Sequence, residues 1–240
     1  MSNEGALDRS LSGARPAVAF PLPADRLSRL FLLFVAGLSA GESRIEGLPD
    51  MPMLAQAAGL LSRFGIGMRH TGSAWLVNGV GNGALLEPQG ICEAGADPEL
   101  AALLLGLAGL YDFPLALRCA PQQMQPLLQP LALMGMQVEA IDADLLRVRG
   151  PRLAGPLLRD LPEGPQGREG ATWLRPALML AALAGCGDTV LREPEGGEAQ
   201  VFPAILRLFG AEVAQVRCEA GREVRIAGRV PLFAQRIDLG

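Results

Sequence analysis

The sequence predicts one α/β domain built by threefold repetition of a single unit. Three observations predict it. Phe64-Gly65, Met134-Gly135 and Phe209-Gly210 each end a helical pattern ahead of a β-like segment, at intervals of about 70–75 residues. Val77-Asn78-Gly79, Val148-Arg149-Gly150 and Ile226-Ala227-Gly228 follow in the same rhythm. Half of the 240 residues are apolar, enough for three units to share one core that none could build alone.

Each unit reads in the same order. An apolar helix comes first, over Leu27–Leu38, Leu100–Leu110 and Leu174–Ala184, with Gly41, Gly109 and Gly185 as stop signals. A short strand follows, such as Ser43-Arg44-Ile45 or Thr189-Val190-Leu191. The next helix is amphipathic. Its apolar stripe is Leu54, Ala57, Ala58 and Leu61 in the first unit, then Leu127, Leu128, Leu131 and Met134, then Ile205, Leu206 and Phe209. Glycine ends that helix, and two strands close the unit, for example Gln137-Val138-Glu139 and Leu145–Val148. The Gly/Pro-rich stretches Gly79–Gly95 and Gly150–Gly170 read as connectors within one domain. The expected organisation is a loose polar tail over residues 1–16 and a domain over 17–240, with repeats at about 17–80, 81–150 and 151–240.

Composition excludes several classes of function. The formal net charge is −4, so no basic footprint for nucleic acid is present. The apolar run Leu30–Leu38 is too short to cross a bilayer, and residues 1–15 lack the apolar stretch of a signal peptide. One histidine, His70 in a turn-like context, and four scattered cysteines, Cys92, Cys119, Cys186 and Cys218, argue against a metal site and for buried, reduced thiols. The expectation is a cytoplasmic protein without metal or cofactor. All 21 basic residues are arginine, so no lysine ammonium is available for chemistry that needs a compact charge. Gly79-Val80-Gly81-Asn82-Gly83 reads as a structural turn, because it lacks phosphate-loop spacing. Glu42, Asp50, Asp97 and Glu99 read as solvated surface charge, and Trp75 and Trp173 as partly buried.

Several stretches, in order, resemble 5-enolpyruvylshikimate-3-phosphate synthases, especially the alphaproteobacterial type. They are Ala40-Gly-Glu-Ser-Arg-Ile-Glu-Gly-Leu48, Gly79-Val-Gly-Asn-Gly-Ala-Leu-Leu-Glu-Pro88 and Gly109-Leu-Tyr-Asp-Phe113, then Pro126-Leu-Leu128, Arg149-Gly-Pro-Arg152, Phe209-Gly-Ala-Glu-Val213 and the terminal Ile237-Asp-Leu-Gly240. The resemblance runs from about Ala17 to the end. It implies one of two similar domains, each an inside-out α/β barrel half of three βαβαββ units with pseudo-threefold symmetry. The active site would lie in the cleft between the two domains.

The same resemblance shows where this chain departs from the family. The family's Pro-Gly-Asp-Lys-Ser-Ile-Ser-His-Arg falls on Pro23–Phe31, so Asp25 survives, Arg26 stands for the substrate-binding lysine, and Phe31 replaces an anion-binding arginine. Its Asn-Ala-Gly-Thr, which meets phosphoenolpyruvate, falls on Ala96-Asp97-Pro98-Glu99, with Ala102 in place of a following arginine. Gln122 occupies another arginine position. Ser-Ala-Gln-Val-Lys falls on Ala171–Arg175, putting Trp173 at the glutamine and Arg175 at the lysine. Ser-Arg-Asp-His-Thr falls on Glu198–Phe202.

The resemblance thus implies no catalytic residues in this chain, and residual substrate contacts at Asp25, Arg26 and Arg175. The ligand would be a weakly held small anion, shikimate 3-phosphate or phosphoenolpyruvate. A protein partner could occupy the face that a second domain covers in the family. Three functional expectations follow: a catalytically inactive binding or regulatory module, one half of a split transferase completed by a second chain, and a decaying truncated product. Trp173 is expected to crowd the sugar pocket.

Overall fold

The computed structural model describes residues 16–161, 172–193, 201–218 and 221–240. All of the expected tail but Pro16 lies outside them, as do residues 162–170 of the second connector, Ala171, and residues 198–200 of the last family motif.

One element order occurs three times: strand, helix, strand, helix, strand, strand. The first set is β1 (Val18–Ala19), α1 (Arg26–Gly37), β2 (Ala40–Glu46), α2 (Pro52–Leu61), β3 (Gly67–His70) and β4 (Ala74–Val80). The second is β5 (Ile91–Glu93), α3 (Pro98–Ala108), β6 (Pro114–Arg118), α4 (Pro121–Leu133), β7 (Gln137–Asp142) and β8 (Leu145–Arg149). The third is β9 (Leu158–Asp160), α5 (Leu174–Ala184), β10 (Asp188–Glu193), α6 (Val201–Leu208), β11 (Val213–Cys218) and β12 (Gly221–Ala227), with β13 (Arg236–Asp238) after it. The strands form three separate sheets, ordered β5-β6-β8-β7, β9-β10-β12-β11 and β1-β13-β2-β4-β3. In each, the opening strand runs parallel to its neighbour and the last two pair antiparallel. The first sheet departs only by admitting β13 between β1 and β2, parallel to both. Among the described residues no sheet closes into a barrel.

Pattern reading misses β1, β5 and β9, each of two or three residues. Such strands are too short to carry a readable period, and β5 and β9 also lie inside what composition marks as connectors. Two glycine assignments also change. Gly41 lies within β2 rather than capping α1, which ends at Gly37 with Leu38 as its cap, and Gly185 ends α5 in an extended conformation. The left-handed stops are the glycines after the second helices: Gly65, Gly135 and Gly210 have φ of 87°, 107° and 97°, a region open to glycine at little cost.

The two helix types divide the labour. In α1 every residue but Arg26 and Arg29 is buried, and α3 and α5 are buried almost throughout. They form the centre. The other three bury one stripe each, as Leu54, Ala57 and Leu61 of α2 do. Close packing at the centre depends on absent side chains. A Cβ on Gly106 of α3 would lie 2.2 Å from the Ala177 carbonyl oxygen of α5. At the end of the last strand of each unit, a Cβ on Gly79, Gly150 or Gly228 would lie about 2 Å from backbone at the end of the central helix: 2.1 Å from Ser39 O, 2.1 Å from Leu110 C and 1.9 Å from Gly185 O.

His70 is not a turn residue. It ends β3 with its ring 5.4 Å from that of Trp75 and Nδ1 3.7 Å from Asp50. Of the cysteines, Cys92 and Cys119 are buried, Cys186 is half-buried and Cys218 is exposed.

Alanine at Gly79, Gly150 or Gly228 is expected to cost roughly 1–3 kcal/mol or more through backbone overpacking. Alanine at Gly155, where nothing lies within 4 Å of the added carbon, should change stability by under about 0.5 kcal/mol. Urea denaturation of the four variants measures the difference.

Candidate functional site at the N-terminal ends of the central helices

A helix N-terminus leaves backbone N–H groups without partners and carries partial positive charge. Here carboxylates of the chain itself meet those needs. Asp25 caps α1, its Oδ1 accepting from Ser28 N at 2.8 Å. Asp97 caps α3, accepting from Glu99 N and Leu100 N at 3.1 Å each. Pro98 sits in the first turn of α3, where no N–H is needed. Trp173, at the start of α5, offers no side-chain cap.

Arg26 lies between α1 and α3. Its Nη2 donates to Asp97 Oδ2. Its Nε lies 3.5 Å from Glu99 Oε2 and contacts Met53 Sδ at 3.0 Å. The Arg26 side chain is 43% exposed, whereas those of Asp97 and Glu99 are only 13% and 24% exposed. Burial pushes the Glu99 carboxyl above its ordinary range, Arg26 pulls it down, and Asp25 pushes it up. Arg29, one turn along α1, touches Met51 Sδ at 3.2 Å.

Arg175 forms a second centre. Its Nε lies 2.5 Å from Glu193 Oε1 at the end of β10, with side-chain exposures of only 12% and 6%. Burial lowers the pKa of Arg175 and raises that of Glu193, more than their mutual attraction opposes this, and the positive field of Arg222 acts on both. Such a pair is costly to form and costlier to break, because either partner alone is an uncompensated buried charge.

The remaining expected positions lie in the core or at the surface. Phe31 is fully buried, its ring edge-on to that of Phe202 with centroids 5.1 Å apart. Ala102 is fully buried within α3, and Gln122 is exposed at the start of α4. Trp173 and Trp75, expected to be partly buried, are both core residues. Among the described residues, no hydrogen bond or ion pair joins the Arg26 cluster to the Arg175 cluster, and no group of three potential metal ligands occurs.

Sequence reasoning treats Asp97 and Glu99 as solvated charge and does not single out Glu193. The available signal is the paired change: an arginine at one motif position and two acids in another. What those acids bind depends on α1 and α3 lying side by side. Nothing local marks Glu193, which only the β10–α5 packing brings to Arg175.

Chemically, the surface is self-neutralising. Arg26 and Arg175 are engaged by carboxylates, and an aromatic pair fills the core at the position where an anion-binding arginine is expected. Phe31→Arg, which restores the family residue, is expected to cost more than about 4 kcal/mol by burying an unpaired charge. Loss of the cooperative thermal transition checks this.

The raised pKa of Glu99 has a definite sign. The folded chain holds that proton more tightly than the unfolded chain, so the contribution to stability is greatest at low pH and falls as pH rises from about 4.5. The stability difference, Glu99→Gln minus parent, is therefore expected to move in favour of the glutamine variant between pH 4 and pH 7. Denaturant titrations across that range read it.

No family model matches the chain. It is 32% identical over 226 residues to 3-phosphoshikimate 1-carboxyvinyltransferase of a Pseudomonas species, covering 91% of this chain and 49% of the relative. It is 31% identical to the enzyme of that name from Brucella canis, covering 91% and 48%. Among solved structures, EPSP synthase from Acinetobacter baumannii aligns with a TM-score of 0.76 at 19% identity, covering 92% of this chain and 49% of that one. The enolpyruvyl transferase NikO from Streptomyces tendae aligns at 0.64 and 18% identity, covering 94% and 52%. The structural likenesses establish the fold, and the chain spans about half the length of the curated relatives it matches. By descent and by fold, this chain belongs to the enolpyruvyl transferase family of the 3-phosphoshikimate 1-carboxyvinyltransferases, matching one half of their length.

Proposed function

We propose that the chain is an enolpyruvyl-transferase-like domain without transferase activity of its own, acting as a binding or regulatory module. One observation carries this reading: the cations at the family's lysine positions, Arg26 and Arg175, are both ion-paired with carboxylates of this chain. An incoming phosphate or carboxylate must displace Asp97 and Glu99 from Arg26, and it meets their charge once it has. Losing a charge-assisted contact to a buried partner typically costs about 2–5 kcal/mol. The buried Phe31 and Ala102 supply no replacement cation. Shikimate 3-phosphate or phosphoenolpyruvate then binds weakly, through Asp25, Arg26 and Arg175, and a protein partner covers this pole. The four free cysteines fit a reducing, cytoplasmic setting. No helix among the described residues is long and apolar enough to cross a membrane.

A second reading is a split transferase, completed by another chain that carries the other half of the family's length. Enclosing and orienting two reactants is worth about 7–11 kcal/mol in well-organised sites, and on this reading the enclosing surface is supplied in trans.

A phosphate-release assay with phosphoenolpyruvate and shikimate 3-phosphate separates the readings. The chain alone is expected to show no turnover. Asp97→Asn with Glu99→Gln, which frees Arg26, is expected to tighten shikimate 3-phosphate binding about tenfold, the equivalent of 1.4 kcal/mol. Steady turnover by the unmodified chain, abolished by Arg26→Ala, would refute the first reading. Turnover only after adding the complementary half of the Pseudomonas relative would support the second.

A further inference from the structure

At the other end of the central helices lies a cavity of about 340 Å³, lined in part by the segments that follow β4, β8 and β12. The first connector supplies Asn82 and Gly83. The ends of α3 and α5 supply Leu110, Leu183 and Ala184. Tyr111, Asp112 and the segments after β8 and β12 supply the rest.

The polar groups here differ from those at the N-terminal pole. Arg152 and Arg229 line the cavity, and among the described residues neither guanidinium makes a hydrogen bond or an ion pair. Asp112, the only carboxylate in the lining, is already held by Arg149, whose Nε and Nη2 reach Oδ1 at 3.0 and 2.8 Å. The Tyr111 hydroxyl accepts from Gly83 N at 3.0 Å, which leaves its own proton available to donate. Burial pushes that phenol up to about 12, so the proton stays on at neutral pH. Asn82 donates through Nδ2 to Leu183 O and Val230 O at 3.0 and 3.1 Å, while its Oδ1 is shielded from solvent with no donor.

Arg229 has φ of 59° and is the only non-glycine residue with positive φ among the described residues. Glycine would adopt that conformation at lower cost. Such strain concentrates at binding sites. The dipoles at the ends of α3 and α5 favour cations, which accounts for arginines near this pole. They do not account for two guanidiniums without partners beside a neutralised carboxylate and a free phenolic donor.

We propose that this cavity binds a small hydroxylated organic anion, with its phosphate or carboxylate held by Arg152 and Arg229 and a hydroxyl accepting from the Tyr111 phenol. Leu110, Pro151 and Leu183 supply apolar contact for its carbon skeleton. The site is independent of the residues at the N-terminal pole and does not depend on whether the chain has transferase activity.

Tyr111 is the only tyrosine in the sequence, so fluorotyrosine labelling places a single ¹⁹F resonance in the cavity. The labelled full chain is titrated with ribose 5-phosphate, citrate and inorganic phosphate. Ribose 5-phosphate or citrate is expected to shift the resonance saturably. Arg152→Gln with Arg229→Gln, two exposed positions, is expected to weaken that response at least about tenfold, whereas Arg26→Gln leaves it unchanged. The two organic probes distinguish a sugar phosphate from a hydroxycarboxylate. The proposal is overturned if neither gives a saturable shift up to about 20 mM, if the double variant responds like the parent, or if Arg26→Gln abolishes the response. A response to inorganic phosphate alone would mark an adventitious ion only and overturn it equally.

Discussion

Three helices that are apolar on nearly every face cannot face water, and covering them is the constraint on which the rest of the structure depends. Helices α1, α3 and α5 shield one another, and the sheets and amphipathic helices shield what remains. Backbones approach closely enough only where Cβ atoms are missing. Gly106 meets the Ala177 carbonyl, and Gly79, Gly150 and Gly228 each abut the end of a central helix. The same glycine serves the same contact in each unit, so the repeating sequence markers are packing requirements.

Burying the central helices makes both of their ends chemically consequential. Orphan N–H groups at the starts of α1 and α3 are satisfied by Asp25 and Asp97, and satisfying them this way places negative charge where the family resemblance implies that anions bind. Arg26 then neutralises the pole by spanning Asp97 and Glu99. A capping acid, a bridging arginine and an aromatic core pair at Phe31 and Phe202 are mutually consistent. Together they describe a surface organised for its own stability. At the other ends, acids are scarce and guanidiniums are left over, so the electrostatic character is reversed within one short set of helices.

The buried Arg175–Glu193 pair fits the same logic less comfortably. Desolvation moves both groups away from their charged forms, so the pair adds little net stability over a neutral substitute. Its effect is geometric: it ties the start of α5 to the end of β10, as Arg26 ties α1 to α3.

The sequence by itself determined the helices, the glycine stops and the threefold rhythm. These follow from local periodicity and from residues such as Gly65, Gly135 and Gly210, whose positive φ few other residues tolerate. It also revealed that family positions were altered at Arg26, Phe31, Asp97, Glu99 and Arg175. It could not reveal the short opening strands, because two or three residues carry no period, nor the insertion of β13 between β1 and β2, which joins the two ends of the domain. Tertiary structure alone decided which charges meet. Asp97 reads as a surface acid until α3 lies beside α1, Glu193 has no local mark at all, and Arg152 and Arg229 reach one cavity only because the segments after β8 and β12 converge there. Backbone preference acts over a few residues and is written locally, whereas a charge is paired by whatever the fold brings within about 4 Å.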